Sequence, residues 1–209
     1  MSSNGAEAPG LLMVISAPSG AGKTSICRQL LDKWPNLRFS VSHTTRSPRP
    51  GEKEGMDYYF ITPEAFREKI VGGEFIEWVE NYGQFYGTSR AAIESLLAQG
   101  FDLLIDVEPR GARELKKYFP GASFIFILPP SLTELKNRLV KRGFEAEEAM
   151  RARLQKAREE CGEVVWYDYV IFNDHLSEAV KLLSAIYRAE KARRERLAGF
   201  IDGFLSVCD

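Results

Sequence analysis

The sequence predicts an α/β protein in which a parallel β-sheet is covered by helices on both faces. Four short apolar runs have the length of buried strands: residues 11–15, 101–105, 124–128 and 169–172. Segments with helical spacing lie between and after them: residues 25–34, 111–118, 132–141, 146–163 and 175 to about 197. Alternating buried strands and helices are typical of such a sheet.

The amino-acid composition indicates a folded protein and argues against several functional classes. The chain has 209 residues, 44% of them hydrophobic, and a formal net charge of −1. The apolar content excludes disorder for most of the chain, and the balanced charge argues against a dedicated nucleic-acid-binding protein. The apolar runs are too short to span a bilayer, and three widely spaced cysteines favour neither disulfides nor a zinc site. We therefore expect a cytoplasmic protein with a flexible tail at residues 1–10 and no membrane or nucleic-acid partner.

The first predicted strand leads into the segment SAPSGAGKT and then a helix, which is the context of a phosphate-binding P-loop. Glycines let backbone N–H groups turn toward phosphate oxygens, and the helix N-terminus adds its dipole. Lys23 is expected to reach the β- and γ-phosphates of a nucleotide, and the Thr24 hydroxyl is expected to bind Mg²⁺. The alternative is an ordinary glycine-rich turn. The candidate ATP-binding residues are Ala17, Pro18, Ser19, Gly20, Ala21, Gly22, Lys23, Thr24 and Ser25.

Asp106 ends another predicted core strand, at the edge where open parallel sheets bind their ligands. A carboxylate there is suited to hold Mg²⁺ through a water molecule. An acid that only caps the next helix remains the alternative.

Residues 44–90 interrupt the strand–helix rhythm and predict a small mixed β lobe inserted into the core. Arg46 and Arg49 lie three residues apart, and Tyr58 follows within a short aromatic-rich strand. Two guanidinium groups and a phenol are suited to bind a phosphate dianion. A solvated basic loop is the alternative interpretation.

Glu77 lies between Ile76 and Trp78, where a carboxylate at an apolar strand needs a donor partner. Guanine offers its N1–H and its 2-amino group side by side, whereas adenine offers no such pair. The hydroxyls of Ser42 and Thr88 are candidates for the O6 and N7 side of the base. A glutamate that faces solvent is the alternative.

Together, the motifs SAPSGAGKT, SVSHTTRSPRPGE, DYYF, GEFIEW, YGTSR and LVKRG resemble guanylate kinase in order and spacing. The resemblance runs from residue 11 to at least residue 191. It implies a P-loop NTPase-type fold with a five-stranded parallel core (11–43, 91–135 and 164–209), a GMP-binding lobe (44–90) and a helical lid (136–163).

The resemblance also implies roles for individual residues. Asp106 and Glu108 then lie beside the ribose and amino edge of GMP, although Glu108 replaces the family's usual Asp. Ala17 replaces the first glycine of the P-loop. The implied positions are, for the GMP phosphate, Arg46, Arg49, Tyr58 and Tyr86; for guanine, Ser42, Glu77 and Thr88; for the lid, Arg138, Arg142 and Arg153; and for the adenine end of ATP, Asn173.

The predicted reaction is direct in-line transfer of the γ-phosphoryl group of ATP to GMP or dGMP, with Mg²⁺ as cofactor. Positioning and charge then perform the catalysis. Its predicted catalytic residues are Lys23, Arg46, Arg142 and Arg153. Three other functions remain: a kinase for another nucleotide or a phosphorylated sugar, a non-catalytic binding module, and a nucleic-acid-stimulated ATPase. For the predicted lid helix, a solvated basic face is the alternative interpretation. The sequence is compatible with a monomer and with a homo-oligomer.

Overall fold

The structure, a computed structural model, describes residues 10–81, 83–141 and 147–206. The strands in this part of the chain are β1 (Leu12–Ser16), β2 (Leu37–Phe39), β3 (Ser42–Thr44), β4 (Tyr58–Phe60), β5 (Phe75–Asn81), β6 (Gln84–Ser89), β7 (Asp102–Asp106), β8 (Ser123–Leu128) and β9 (Tyr169–Phe172). The helices are α1 (Lys23–Lys33), α2 (Pro63–Val71), α3 (Arg90–Ala98), α4 (Pro109–Tyr118), α5 (Leu132–Lys141), α6 (Glu147–Gly162), α7 (Leu176–Lys191) and α8 (Ala198–Ser206).

The predicted core is confirmed as a five-stranded parallel sheet in the order β2-β7-β1-β8-β9. The central strand β1 is buried on both faces because its side chains alternate between two hydrophobic clusters. Met13 and Ile15 pack with apolar residues of α1 and α7. Leu12 and Val14 pack with residues of α3 and α4. The helices therefore cover both faces, as the continuous apolar runs predict.

A second sheet with the order β4-β3-β6-β5 forms the predicted small mixed lobe. Its β3–β4 pair is parallel, and its other two pairs are antiparallel. The buried ring of Phe66 on α2 lies 4.5 Å from the ring of Phe75 and 5.4 Å from that of Phe85, so aromatic packing fills this lobe. The small sheet begins at Ser42, two residues before the predicted boundary at residue 44.

The predicted lid segment contains α6, which packs against the preceding helix α5. Leu135 and Leu139 of α5 are fully buried against Met150 and Ala157 of α6. Within the described ranges, no helix combines the length and the apolar composition needed to cross a membrane.

Several elements differ from the sequence-based expectation. The short strand β2 and the helix α3 lacked a clear pattern, and β2 has only three residues, one of them the exposed Arg38. The predicted last helix, 175 to about 197, ends at Lys191 and is followed by the separate helix α8. The chain leaves α7 where Arg193 folds back onto Glu190, with 3.0 Å between their charged atoms.

Candidate active site

A cavity of about 690 Å³ lies between the carboxyl edge of the parallel sheet and the small sheet. Residues from both sheets line it, so one cleft contains some of the residues predicted to bind phosphate (Lys23, Tyr58 and Tyr86) and some of those predicted to bind guanine (Ser42 and Glu77). Its lining includes Lys23, Ser42, Tyr58, Glu77, Tyr86, Asp106, Glu108 and Gly111.

The P-loop connects β1 to α1 through two residues in the left-handed region. Gly20 has φ 94° and Gly22 has φ 93°, values that residues with a β-carbon rarely adopt. The following residue, Lys23, begins α1, so the loop delivers the lysine and the positive end of a helix to the same edge. This is the backbone geometry that the motif predicts, and Ala17 is accommodated as a buried residue.

Asn173, which follows β9, holds the P-loop in place through its side chain. Its side-chain Nδ2 donates a hydrogen bond of 2.7 Å to the carbonyl of Ala21. A β-carbon at Gly22 would lie 2.3 Å from the same nitrogen, so the loop and Asn173 fit only with glycine there. Arg138 extends this support, donating to the Asn173 carbonyl at 3.1 Å and to Glu134 at 2.9 Å. Asn173 thus contacts the loop directly, and Arg138 contacts Asn173.

Lys23 forms an ion pair with Asp106 at the end of β7. Thr24 and Ser25 are exposed in the first turn of α1, on the open side of the loop. Cys27 is buried one turn further along, and burial raises the pKa of its thiol to about 12, which keeps it protonated. In the described parts of the chain, no group of three or more His, Cys, Asp or Glu side chains is arranged to hold a metal ion.

The predicted phosphate-binding group is assembled around Arg46. Its guanidinium carbon lies 5.4 Å from the ring centroid of Tyr58, whose ring is 6.0 Å from that of Tyr86. Glu52 accepts a hydrogen bond of 2.9 Å from Arg46 and another of 2.7 Å from the backbone N–H of Arg49. The bond from Arg46 holds the pKa of Glu52 below its usual value. The side chain of Arg49 is exposed on this loop.

Glu77 extends from β5 of the small sheet into the same cavity. Thr88 on the neighbouring strand β6 is buried and donates a hydrogen bond of 2.5 Å to the Glu77 carboxylate. Burial raises the pKa of Glu77, although the Thr88 hydrogen bond opposes that shift. Ser42 of β3 is half-buried and also lines the cavity. Of the three residues predicted to bind guanine, Ser42 and Glu77 therefore line the cavity, and Thr88 is hydrogen-bonded to Glu77.

Glu108 lies just before α4 and lines the same cavity. Lys156 of α6 donates hydrogen bonds to both Glu108 carboxylate oxygens, at 3.1 and 3.3 Å. Glu160, one turn further along α6, lies 3.7 Å from the same ammonium group. Burial alone would lower the pKa of Lys156, but the hydrogen bonds and negative charges of Glu108 and Glu160 together outweigh it and raise that pKa. Glu108 thereby links the cleft to the lid helix.

The remaining predicted lid residues are placed only in part. Arg153 is half-buried on α6. Arg142, predicted as a catalytic arginine, lies outside the described residues.

Three contributors to the cleft were not singled out from the sequence. Glu52 pairs with Arg46, Lys156 pairs with Glu108, and Gly111 stands against Glu77. The Lys156 contact spans 48 residues of sequence and has no local signal. A glycine in the first turn of a predicted helix was a usable signal for Gly111, because glycine is a poor helix former.

Comparisons with known proteins agree with this arrangement. The family model for guanylate kinase matches residues 10–190. A guanylate kinase of Syntrophus aciditrophicus (strain SB) is 54% identical over 98% of this chain and 99% of that protein. One of Geobacter sulfurreducens (strain ATCC 51573 / DSM 12127 / PCA) is 45% identical over 95% of this chain and 98% of that protein. The crystal structure of guanylate kinase from Anaplasma phagocytophilum superposes with a TM-score of 0.73 at 34% identity, covering 91% of this chain and 90% of that chain.

Proposed function

The chain belongs to the guanylate kinase family and phosphorylates GMP to GDP with ATP, and we propose that the reaction takes place in the cleft between the P-loop and the small sheet. One observation carries this assignment. One cavity is lined both by Lys23 and Asp106 of the parallel-sheet core and by Glu77 of the small sheet. A nucleoside monophosphate needs such a span, because its phosphate must reach the donor while its base is recognised.

On the donor side, the P-loop residues 17–25 bind the phosphates of ATP, and Lys23 stabilises charge on the transferred group. The positive φ angles of Gly20 and Gly22 support this role, because they turn the loop around the helix N-terminus. Lys23 exchanges its contact with Asp106 for phosphate oxygens. Asn173 and Arg138 contribute by holding the loop and the adenine end of the site.

On the acceptor side, Arg46, Arg49, Tyr58 and Tyr86 bind the GMP phosphate, and Ser42, Glu77 and Thr88 bind guanine. The ionised Glu77 accepts hydrogen bonds from N1–H and the 2-amino group of the base. Asp106 and Glu108 lie beside the ribose and the amino edge. The arginine–tyrosine cluster supports this division, since the GMP phosphate is able to replace Glu52 as the partner of Arg46.

The protein oxygens near the P-loop suit Mg²⁺. Magnesium in phosphoryl-transfer enzymes is held by one or two protein oxygens together with phosphates and waters, not by an all-protein cage. Thr24 would bind the ion directly, and Asp106 would bind it through a water molecule. The ion supplies charge neutralisation on the phosphate oxygens. Lys23 and Arg46 position donor and acceptor in line, and Arg142 and Arg153 of the lid add positive charge and exclude water.

We further propose a core of residues 11–43, 91–135 and 164–209, with residues 44–90 as the GMP-binding lobe and 136–163 as the lid. We also propose a cytoplasmic enzyme without a membrane or nucleic-acid partner, and the near-zero net charge supports the absence of a nucleic-acid partner.

The test is a steady-state assay of ADP formation with GMP, dGMP, AMP and UMP as acceptors, with and without Mg²⁺. We expect turnover of GMP and dGMP, little turnover of AMP and UMP, and loss of activity when the metal is chelated. A preference for AMP would contradict the role of Glu77. Activity that persists in excess chelator would contradict the magnesium site.

A paired substitution locates the acceptor phosphate. Arg46→Met is expected to raise the KM for GMP by about 10- to 100-fold, because a charge-assisted hydrogen bond contributes roughly 1.5–3 kcal/mol. Arg67→Met, an exposed arginine on α2 of the same lobe, serves as the control and should leave that KM unchanged.

A further inference from the structure

Gly111 lies in the first turn of α4 and stands directly against the side chain of Glu77. A β-carbon placed on Gly111 would lie 2.9 Å from Glu77 Oε2, 3.1 Å from its carboxyl carbon and 3.2 Å from its Cγ. The first distance is shorter than real contacts of a β-carbon, and the other two are tighter than most. The carboxylate therefore occupies the space that any other residue at position 111 would need.

The Glu77 side chain is the part that would move if position 111 gained a β-carbon. The three nearest atoms all belong to the flexible Glu77 side chain, and none of them belongs to the backbone of β5. Displacement of the carboxylate would break its 2.5 Å hydrogen bond with Thr88 and shift the acceptor atoms away from the base. We expect helix α4 itself to tolerate alanine at position 111, because alanine forms helices better than glycine does.

The position also affects the charge of Glu77. Its carboxylate is partly removed from water, and that burial raises its pKa. Gly111 admits the carboxylate to the first turn of α4, where the helix dipole favours a negative charge. The ionised form accepts from both guanine donors, so the close approach to the helix supports the form that recognition needs.

We propose that Gly111 is a positioning residue for guanine recognition: by lacking a side chain, it lets the Glu77 carboxylate stand against the start of α4 in the orientation that accepts N1–H and the 2-amino group. The inference rests on the proposed role of Glu77 in binding GMP. According to this inference, guanine binding by Glu77 of the small sheet also requires a glycine on α4 of the core.

The test compares Gly111→Ala with Gly121→Ala in the full chain. Gly121 lies just beyond α4, and a β-carbon there would have no atom of the described structure within 4 Å, so it controls for the glycine-to-alanine change. For Gly111→Ala we expect the KM for GMP to rise at least about tenfold. The kcat and the KM for ATP should stay within about twofold. Gly121→Ala should match the wild type, and circular dichroism melting should show all three proteins folded.

Inosine monophosphate gives a readout that a merely structural role would not move, because it keeps N1–H but lacks the 2-amino group. In wild type, kcat/KM should be higher for GMP than for inosine monophosphate. We expect Gly111→Ala to reduce the ratio of these two kcat/KM values. An unchanged ratio together with an unchanged KM for GMP would overturn the inference.

The double variant Glu77→Asp/Gly111→Ala tests the geometry itself. Aspartate is shorter by one methylene, so the alanine methyl has more room beside it. We expect the Gly111→Ala change to raise the KM for GMP less in the Glu77→Asp background than in wild type. Equal effects in both backgrounds would overturn the inference, as would an unfolded Gly111→Ala protein. A wild-type enzyme that fails to turn over GMP would instead refute the proposed function.

Discussion

Asp102 and Asp106 stand at opposite ends of the same strand, β7, four residues apart. Asp102 is fully buried at the amino edge of the sheet and accepts hydrogen bonds from the Leu11 N–H at 2.7 Å, the Tyr187 hydroxyl at 2.6 Å and Lys191 at 3.1 Å. Asp106 is partly exposed at the carboxyl edge, where it pairs with Lys23 and lines the cleft.

The difference extends beyond these two residues. Near Asp102, the buried Glu190 of α7 accepts from Ser123 at 2.7 Å and also contacts Tyr169 and Arg193. Across the cleft from the carboxyl edge, Glu77 of the small sheet is half-buried with Thr88 as donor, and this burial raises its pKa. Acidic groups at the amino edge have their donors within the protein, whereas groups at the carboxyl edge keep acceptor capacity for a ligand. The first arrangement stabilises the fold, and the second prepares binding.

The largest expected effect at the carboxyl edge comes from Lys23→Ala. Loss of this charge should lower kcat by about 10²- to 10³-fold, the usual result of removing one preorganised donor to the transition state. The unfolding free energy should change by less than about 1 kcal/mol, because the pair with Asp106 is partly exposed. Turnover assays and urea unfolding measure both quantities. Unchanged phosphorylation of GMP would contradict the assigned mechanism.

At the amino edge, Asp102→Ala should have the opposite effects: a large loss of stability and little change in kcat. Removal of the Asp102 carboxylate should cost about 2–6 kcal/mol of stability, because the Leu11 N–H and the Tyr187 hydroxyl each lose a buried acceptor, whereas Lys191 is partly exposed. The folded fraction should keep its kcat and both KM values. The control is Glu178→Ala, whose pair with Lys181 is exposed at 2.8 Å and should matter by less than about 1 kcal/mol. If Asp102→Ala unfolded at the same urea concentration as the control, the contrast between the two edges would fail.

Substitution of Glu77 by glutamine is expected to affect both GMP binding and stability. We expect the KM for GMP to rise about 10- to 100-fold, since a neutral amide replaces the charged acceptor. In wild type, kcat/KM for GMP should fall with decreasing pH as Glu77 protonates, beginning above the ordinary value of 4.5 because its pKa is raised. The GMP phosphate also titrates near pH 6, so the Glu77 contribution is the part of this acid limb that Glu77→Gln lacks.

The same variant has a predicted effect on stability. Because the pKa of Glu77 is higher folded than unfolded, its contribution to stability is present at low pH and is lost as pH rises through the folded pKa. Ionised Glu77 therefore weakens the ligand-free fold at pH 7, and Glu77→Gln should melt at a higher temperature there. This advantage should shrink toward pH 4. A lower melting temperature at pH 7 would contradict the direction of the shift.

The smallest expected effect concerns the link between the cleft and the lid helix. Lys156→Met keeps the aliphatic part of the side chain and removes the pair with Glu108, which is largely exposed. An exposed pair contributes less than about 1 kcal/mol, so the KM for GMP should change by no more than about fivefold. Lys181→Met on α7 is the matched control and should have no effect on KM. A loss of kcat comparable to that of Lys23→Ala would show that this contact does more than connect the two regions.

Local patterns explain the success of the sequence prediction. The continuous apolar run before SAPSGAGKT predicted β1, the loop and α1, because a buried strand, a glycine turn and a helix start leave signals within a few residues. The short strand β2 and the helix α3 lacked such signals, and the predicted last helix was too long. Strand β2 is held by pairing with β7, about 65 residues away, so its own three residues carry little information.

The sequence by itself determined the fold class, the phosphate-binding loop and the residue types suited to a purine nucleotide, because each depends on local periodicity or on a short motif. Only the tertiary structure decided that Asn173 holds the P-loop, that Lys156 pairs with Glu108, and that Gly111 leaves room for the Glu77 carboxylate. It also separated Asp102 from Asp106, two aspartates in one short strand. The physical reason is that burial and donor partners come from distant elements packed against each residue, and these decide whether a charge stabilises the fold or is kept for a ligand.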